Sequence, residues 1–208
     1  MKKLFVTVCL AVAAMAANAQ TYVGGELGFW RNGEDGNNKT SFTLAPELGY
    51  NLDDTWALGV KLGYNYNYAG AGNFNIGNVV SAEGHVTRNT FTVEPYVRAS
   101  YAKFGPVRLF IDGGFAFATY KDKYTATVND KSQSESNDAH NAWQVGFKPG
   151  VALDLNDHFS FIAHAGFLGY RHSDPSKYNS ALEDGAYGNG WGFDFKTNGL
   201  TFGFLYNF

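Results

Sequence analysis

The final nine residues constrain the fold most. Leu200, Phe202, Phe204, Tyr206 and Phe208 alternate with Thr201, Gly203, Leu205 and Asn207. The period is two, with large apolar groups on one face and mostly small or polar groups on the other, as in a strand whose faces meet different surroundings. A soluble sandwich would normally follow such a strand with chain that covers its rings, and here the sequence stops at Phe208. The expectation is a strand whose aromatic face lies in lipid.

The opening residues point the same way. Lys2 and Lys3 precede an apolar run from Leu4 to Ala14, and Ala17-Asn18-Ala19 follows. A positive region, an apolar core and an A-x-A site predict a secretory signal peptide over 1–19, with the mature chain starting at Gln20. The run is too short to span a bilayer as a helix, which takes about 20 residues. Cys9, the only cysteine, lies inside it. The mature chain is therefore expected to have no disulfide despite export.

Without Lys2 and Lys3, the 16 Lys+Arg fall to 14 against 19 Asp+Glu, a formal charge of −5 that speaks against a nucleic-acid partner. Aromatics make up 17% of the chain, Gly numbers 25, and hydrophobics reach 45% while mean hydropathy stays at −0.26. No long apolar run follows residue 20. Strands that show lipid one face and enclose a polar one give this profile.

Strands are predicted near 22–31, 40–51, 55–67, 90–103, 107–121, 140–154, 158–172 and 197–208. Asn51-Leu52-Asp53-Asp54, Phe104-Gly105-Pro106 and Leu155-Asn156-Asp157 read as tight turns. The other connections, near 32–39, 68–89, 122–139 and 173–196, are longer and rich in Gly, Asn, Ser and Asp. Short and long connections alternate, as in an outer-membrane barrel with short periplasmic turns and longer external loops. The fold class is thus all-β: an eight-stranded antiparallel up-and-down transmembrane β-barrel over 20–208, with both termini at the periplasmic end. A further hairpin in 68–89 would make ten strands.

Most strands alternate cleanly. Trp56, Leu58, Val60, Leu62, Tyr64 and Tyr66 oppose Ala57, Gly59, Lys61, Gly63 and Asn65. The seventh strand is less clean, with Ile162 and Leu168 on its polar face. A soluble barrel would have to pack all the rings inside, and eight strands leave room only for side chains. With the apolar faces outward, Glu26, Glu47, Glu94 and Asp112 point inward with Lys61, Arg98, Arg108 and Lys148. Acids and bases are equal in number. Breaking a buried pair costs about 3–5 kcal/mol, so a nearly dry interior demands such balance. An internal salt-bridge network that plugs the barrel is expected, against the alternative of chance balance in a hydrated lumen. Pro46, Pro95 and Pro149 recur in alternate strands and suggest local bulges.

The signal peptide, Pro46-Glu47-Leu48-Gly49-Tyr50, the short turns and the closing strand together resemble the small outer-membrane β-barrel family. OmpX-like proteins and the membrane domain of OmpA typify it, and its members are often described as porin-like. The resemblance implies a multi-pass protein of the Gram-negative outer membrane. Its partners would be outer-membrane lipid, lipopolysaccharide and the assembly machinery, which would read Phe202, Phe204, Tyr206 and Phe208 on the last strand. Tyr50, Trp56, Tyr101 and Phe159 near the short turns, and Tyr66, Phe91 and Trp143 near the long loops, are expected to form aromatic girdles.

No enzyme and no cofactor is expected. His172-Ser173-Asp174 departs in spacing from the His and Ser motif of outer-membrane lipid A deacylases, which leaves lipid modification as a third reading. His85, His140 and His158 show no metal-ligand spacing. Surface function rides on loops held by a rigid scaffold. Residues 121–139 are predicted to extend a hairpin beyond the membrane to a Ser-rich tip. The last loop carries Tyr178, Tyr187, Trp191, Phe193 and Phe195, which either contact an extracellular ligand or fold over the mouth. The leading expectation is a closed structural or adhesin-like barrel, and a small porin-like channel is the alternative.

Overall fold

The computed structural model describes residues 20–33, 38–76, 80–128, 131–174, 189–195 and 200–208. The signal segment 1–19, Tyr178 and Tyr187 lie outside them. The chain is all-β, with strands β1 (Thr21–Asn32), β2 (Lys39–Asn51), β3 (Trp56–Ile76), β4 (Val80–Phe104), β5 (Val107–Val128), β6 (Lys131–Ser136), β7 (His140–Asp154), β8 (Phe159–Ala165), β9 (Phe167–Ser173), β10 (Gly190–Asp194) and β11 (Leu200–Asn207). Eight of them close an antiparallel ring in the order β1-β2-β3-β4-β5-β7-β8-β11, with β11 returning to β1. β6, β9 and β10 lie outside the ring.

The short turns form because their side chains replace missing backbone partners. Asp53 Oδ1 accepts from the amides of Thr55 and Trp56, each at 2.7 Å. Asn156 Oδ1 does the same for His158 and Phe159 at 2.9 and 2.8 Å. Gly105, at φ 60°, closes the β4–β5 turn in a conformation that side chains resist. The start of β1 and the last residue stand at this end of the barrel, where the Phe208 amide donates to the Thr21 carbonyl at 3.0 Å.

Among the described residues, the 68–89 connection holds no extra hairpin that would raise the ring to ten. Its residues extend β3 and β4, which pair continuously apart from one register shift between Gly70 and Asn73. β3, β4 and β5 have 21, 25 and 22 residues, whereas a tilted crossing needs about 9–11. The excess lies at the long-loop end, where β6 pairs with β5 from Lys123↔Ser136 to Val128↔Lys131. The Ser-rich stretch is therefore the returning strand of this hairpin rather than its tip.

Two further expectations need correction. Pro46 and Pro95 sit at interruptions of a ladder rather than at bulges, whereas Pro149 lies where the pairing of β7 shifts by one residue, from Phe147↔Leu168 to Gly150↔His164. β2–β3 pairing skips from Leu44↔Tyr64 to Glu47↔Lys61, and β4–β5 pairing from Val93↔Phe117 to Tyr96↔Gly114, with the register kept. The seventh strand breaks at Gly166, at φ 76°, into β8 and β9. This resets the phase. Ile162 is buried inside before the break, while after it Phe167 is buried and Leu168 exposed, so Leu168 faces outward.

Candidate functional site

At mid-height a layer of side chains fills the ring. Lys61 on β3 reaches Glu26 at 2.8 Å, Asp112 at 3.5 Å and Glu47 at 3.9 Å. Arg98 on β4 meets Asp112 on β5 through Nε–Oδ1 at 2.7 Å and Nη2–Oδ2 at 2.9 Å, and approaches Glu47 at 3.7 Å. Alternation puts these residues on the inner face, and register sets them level, since Lys61 pairs with Glu47 and with Glu94, and Arg98 with Asp112. His164 turns Nε2 toward Asp112 at 2.8 Å and Nδ1 toward Glu26 at 3.2 Å. Three carboxylates thus share Lys61, Arg98 and the imidazole.

Rings complete the layer. The Tyr96 hydroxyl donates to Glu47 Oε2 at 2.8 Å, and the Tyr22 and Tyr96 hydroxyls meet at 2.7 Å. The Arg98 guanidinium lies 4.2 Å from the Phe110 ring centroid, and that ring packs edge-on to His164 at 5.1 Å. Tyr22, Phe110, Ile162 and Leu205 are fully covered. Gly49 and Gly59 make room, since a Cβ at either would overlap the ring of Tyr22 or Tyr96 respectively.

The eight interior charges do not form one network. Lys148 and Glu94 pair at 2.6 Å on the outer side of the layer. Arg108 joins Asp154 at 3.1 Å near the short turns, along with Lys103 and the Ser160 hydroxyl. Glu26, Glu47, Lys61, Arg98 and Asp112 belong to the central layer. A cavity of about 310 Å³ lies on the outer side, lined in part by Glu26, Lys61 and His164. A vestibule of about 730 Å³ lies on the short-turn side, lined in part by Arg98, Arg108 and Ser160. No described residue lines both.

Sequence reasoning missed Asp154, Tyr22 and Phe110, and it missed a second buried pair. Arg88 and Asp122 meet at 2.6 and 2.9 Å, with the guanidinium 4.3 Å from the Tyr120 ring centroid. Both fall in stretches expected to be loops, and their inward parity in extended β4 and β5 was the available signal.

Trp191 and Phe193 are not on a loop. They project from the outer face of β10, which pairs with β9. Trp191 packs edge-on to Tyr170 at 5.4 Å, and Tyr170 stacks on Trp143 at 5.2 Å. Phe195 follows β10, with its ring 6.0 Å from Phe193. Phe202, Phe204, Tyr206 and Phe208 line the outer face of the last strand, where Phe204 and Phe202 pack on Phe161 and Tyr206 packs on Phe159.

His172 and Ser173 are neighbours in a strand and so point to opposite faces. His172 lies 3.9 Å from Asp174 and tilts against Trp143. His85 and His140 stack on Tyr68 and Tyr120, and His158 stacks on Tyr206. Among the described residues no group of His, Cys, Asp and Glu is placed to hold a metal.

No curated protein matches this chain. Among solved structures, a major outer membrane protein from Thermus thermophilus aligns with 17% identity and a TM-score of 0.42, covering 90% of this chain and 99% of that one. The family model described as outer membrane protein beta-barrel domain matches residues 4–208. With its closed antiparallel ring, apolar outer face and charged interior, the chain belongs to the outer membrane protein beta-barrel family.

Proposed function

We propose that this outer-membrane barrel does not conduct, catalyses no reaction, and serves as a rigid scaffold for its outer strand extensions. One observation carries the reading: the mid-height layer separates two cavities that share no described lining residue. An ion crossing it would have to part Arg98 from Asp112 and Lys61 from Glu26, and breaking a buried pair costs about 3–5 kcal/mol.

The contact surface is then the sheet that continues beyond the ring in β3, β4, β5 and β6. Its β5–β6 hairpin is polar, with hydroxyl pairs Thr125–Ser134 at 3.0 Å and Thr127–Ser132 at 2.9 Å, and every β6 side chain is exposed. Such a surface suits a polar partner such as a glycan or a protein exposed outside the cell. Outer-membrane lipid and lipopolysaccharide would meet the aromatic wall, and the assembly machinery would meet the outer face of β11. Residues 1–19 would direct export and be removed in the course of it.

The test is single-channel conductance of the refolded mature protein in a planar bilayer, with folding checked separately by strand content. Silence supports the closed scaffold. Reproducible current steps overturn it and favour a small channel.

A further inference from the structure

The residue before β1 has both of its carbonyls held and both of its nitrogens free. Thr21 stands opposite Tyr50, so Gln20 falls one step earlier, beside Asn51. The Asn51 amide donates to the Gln20 backbone carbonyl at 2.6 Å, and the Tyr50 hydroxyl donates to Gln20 Oε1. Among the described residues, neither Gln20 N nor Nε2 has a hydrogen-bond partner. Gln20 is exposed and lines the mouth of the short-turn vestibule with Asp53 and Asp54.

Removal of residues 1–19 would turn Gln20 N from a peptide nitrogen into a primary amine. That amine can add to the carbonyl carbon of its own side chain and close a five-membered ring. A donor on a carbonyl oxygen draws electron density from the carbon and stabilises the oxyanion that forms as a nucleophile adds. Tyr50 supplies that donor, and the nitrogen that must leave is tied to nothing among the described residues.

We propose that the mature chain is modified at Gln20, which closes to pyroglutamate, with Tyr50 as the positioning residue that holds and polarises the side-chain amide. The modification rests on the removal of residues 1–19 put forward above. The unprotonated α-amine adds to Cδ, the new N–Cδ bond closes the ring, and the Cδ–Nε2 bond breaks. The proton shed by the amine leaves with Nε2 as ammonia, and no oxidant, reductant or further reactant enters. The product is neutral, so the vestibule mouth loses a cation beside Asp53 and Asp54. It also lacks the free amine that an aminopeptidase needs, directly before the strand that joins β11 to close the ring.

The mass of the intact protein isolated from outer membranes reads the first residue. A chain that begins at Gln20 and is lighter by one ammonia is expected. A chain that begins at Gln20 and keeps its ammonia overturns the modification and leaves the cleavage standing. Any other first residue gives a different mass and overturns both. The role of Tyr50 is read as a rate. The mature chain is refolded behind a removable leader whose protease exposes Gln20, and loss of ammonia is followed by mass. Tyr50→Phe keeps the ring and removes the hydroxyl, so its loss of ammonia should be about three- to tenfold slower. The free peptide 20–31, which has no Tyr50 beside it, should be slower by a similar factor and serves where the variant does not fold. Equal rates in the native protein and in either reference overturn the assignment of Tyr50.

Discussion

Arg98 and Asp112 face each other across β4 and β5 and join through two parallel hydrogen bonds of 2.7 and 2.9 Å, both side chains buried. A forked pair of this kind is the strongest geometry two such groups offer. Removing one partner strands the other in a site with little water. Asp112→Ala should therefore destabilise the protein by about 3–5 kcal/mol. The double change Arg98→Met with Asp112→Leu should recover most of that loss. Denaturant unfolding in lipid vesicles, followed by strand content, measures both.

The rings of the layer separate the two cavities as much as the charges do. Tyr96→Ala combined with Phe110→Ala removes two of them and should join the cavities. Current steps absent from the native protein are then expected in a planar bilayer, and continued silence would mean that the charges suffice to close the lumen.

Gly49 lies under the Tyr22 ring. Gly49→Ala should cost about 1–3 kcal/mol through overpacking. Adding Tyr22→Leu, which withdraws the ring, should return part of it. The midpoint of the heat-induced loss of compact gel mobility reports the change.

Arg88 and Asp122 pin the outer extension above the ring. Asp122→Ala should speed amide hydrogen exchange around Val86–Arg88 and Tyr120–Tyr124 and leave the exchange of the ring strands near Leu58–Leu62 unchanged. Faster exchange throughout would show that the extension and the ring unfold together.

Gly166 holds a backbone conformation that disfavours side chains, and a Cβ there would overlap the Asp194 carbonyl oxygen. Gly166→Val should cost about 1–3 kcal/mol in strain. Its first effect should be loss of exchange protection in β10, whose pairing runs to Phe167.

Much of the ring was legible because lipid and lumen impose opposite demands on alternate residues. Lys61, Glu94, Arg98 and Asp112 stand inward as their parity requires. What alternation does not carry is height. Arg108 and Lys148 share the inward face with Lys61, yet each lies at another level and finds its own partner. Phe110 is an inward ring, and hydropathy alone could not separate it from its outward neighbours. Leu168 was misplaced because Gly166, at positive φ, shifts the phase of β9, whereas Trp191 was placed on a loop because β10 is only five residues long and two of them are glycine.

The length of the central strands has a mechanical consequence. β4 has 25 residues, roughly 14 more than a crossing needs, or about 45 Å of strand at ~3.3 Å per residue. Because β3, β4 and β5 run unbroken from the membrane into the projecting sheet, a pull on its tip is delivered along the strands. It loads many ladder hydrogen bonds together in shear, instead of peeling them singly. The projection is thus a lever arm continuous with its own footing, and a partner that seizes it pulls against the whole barrel.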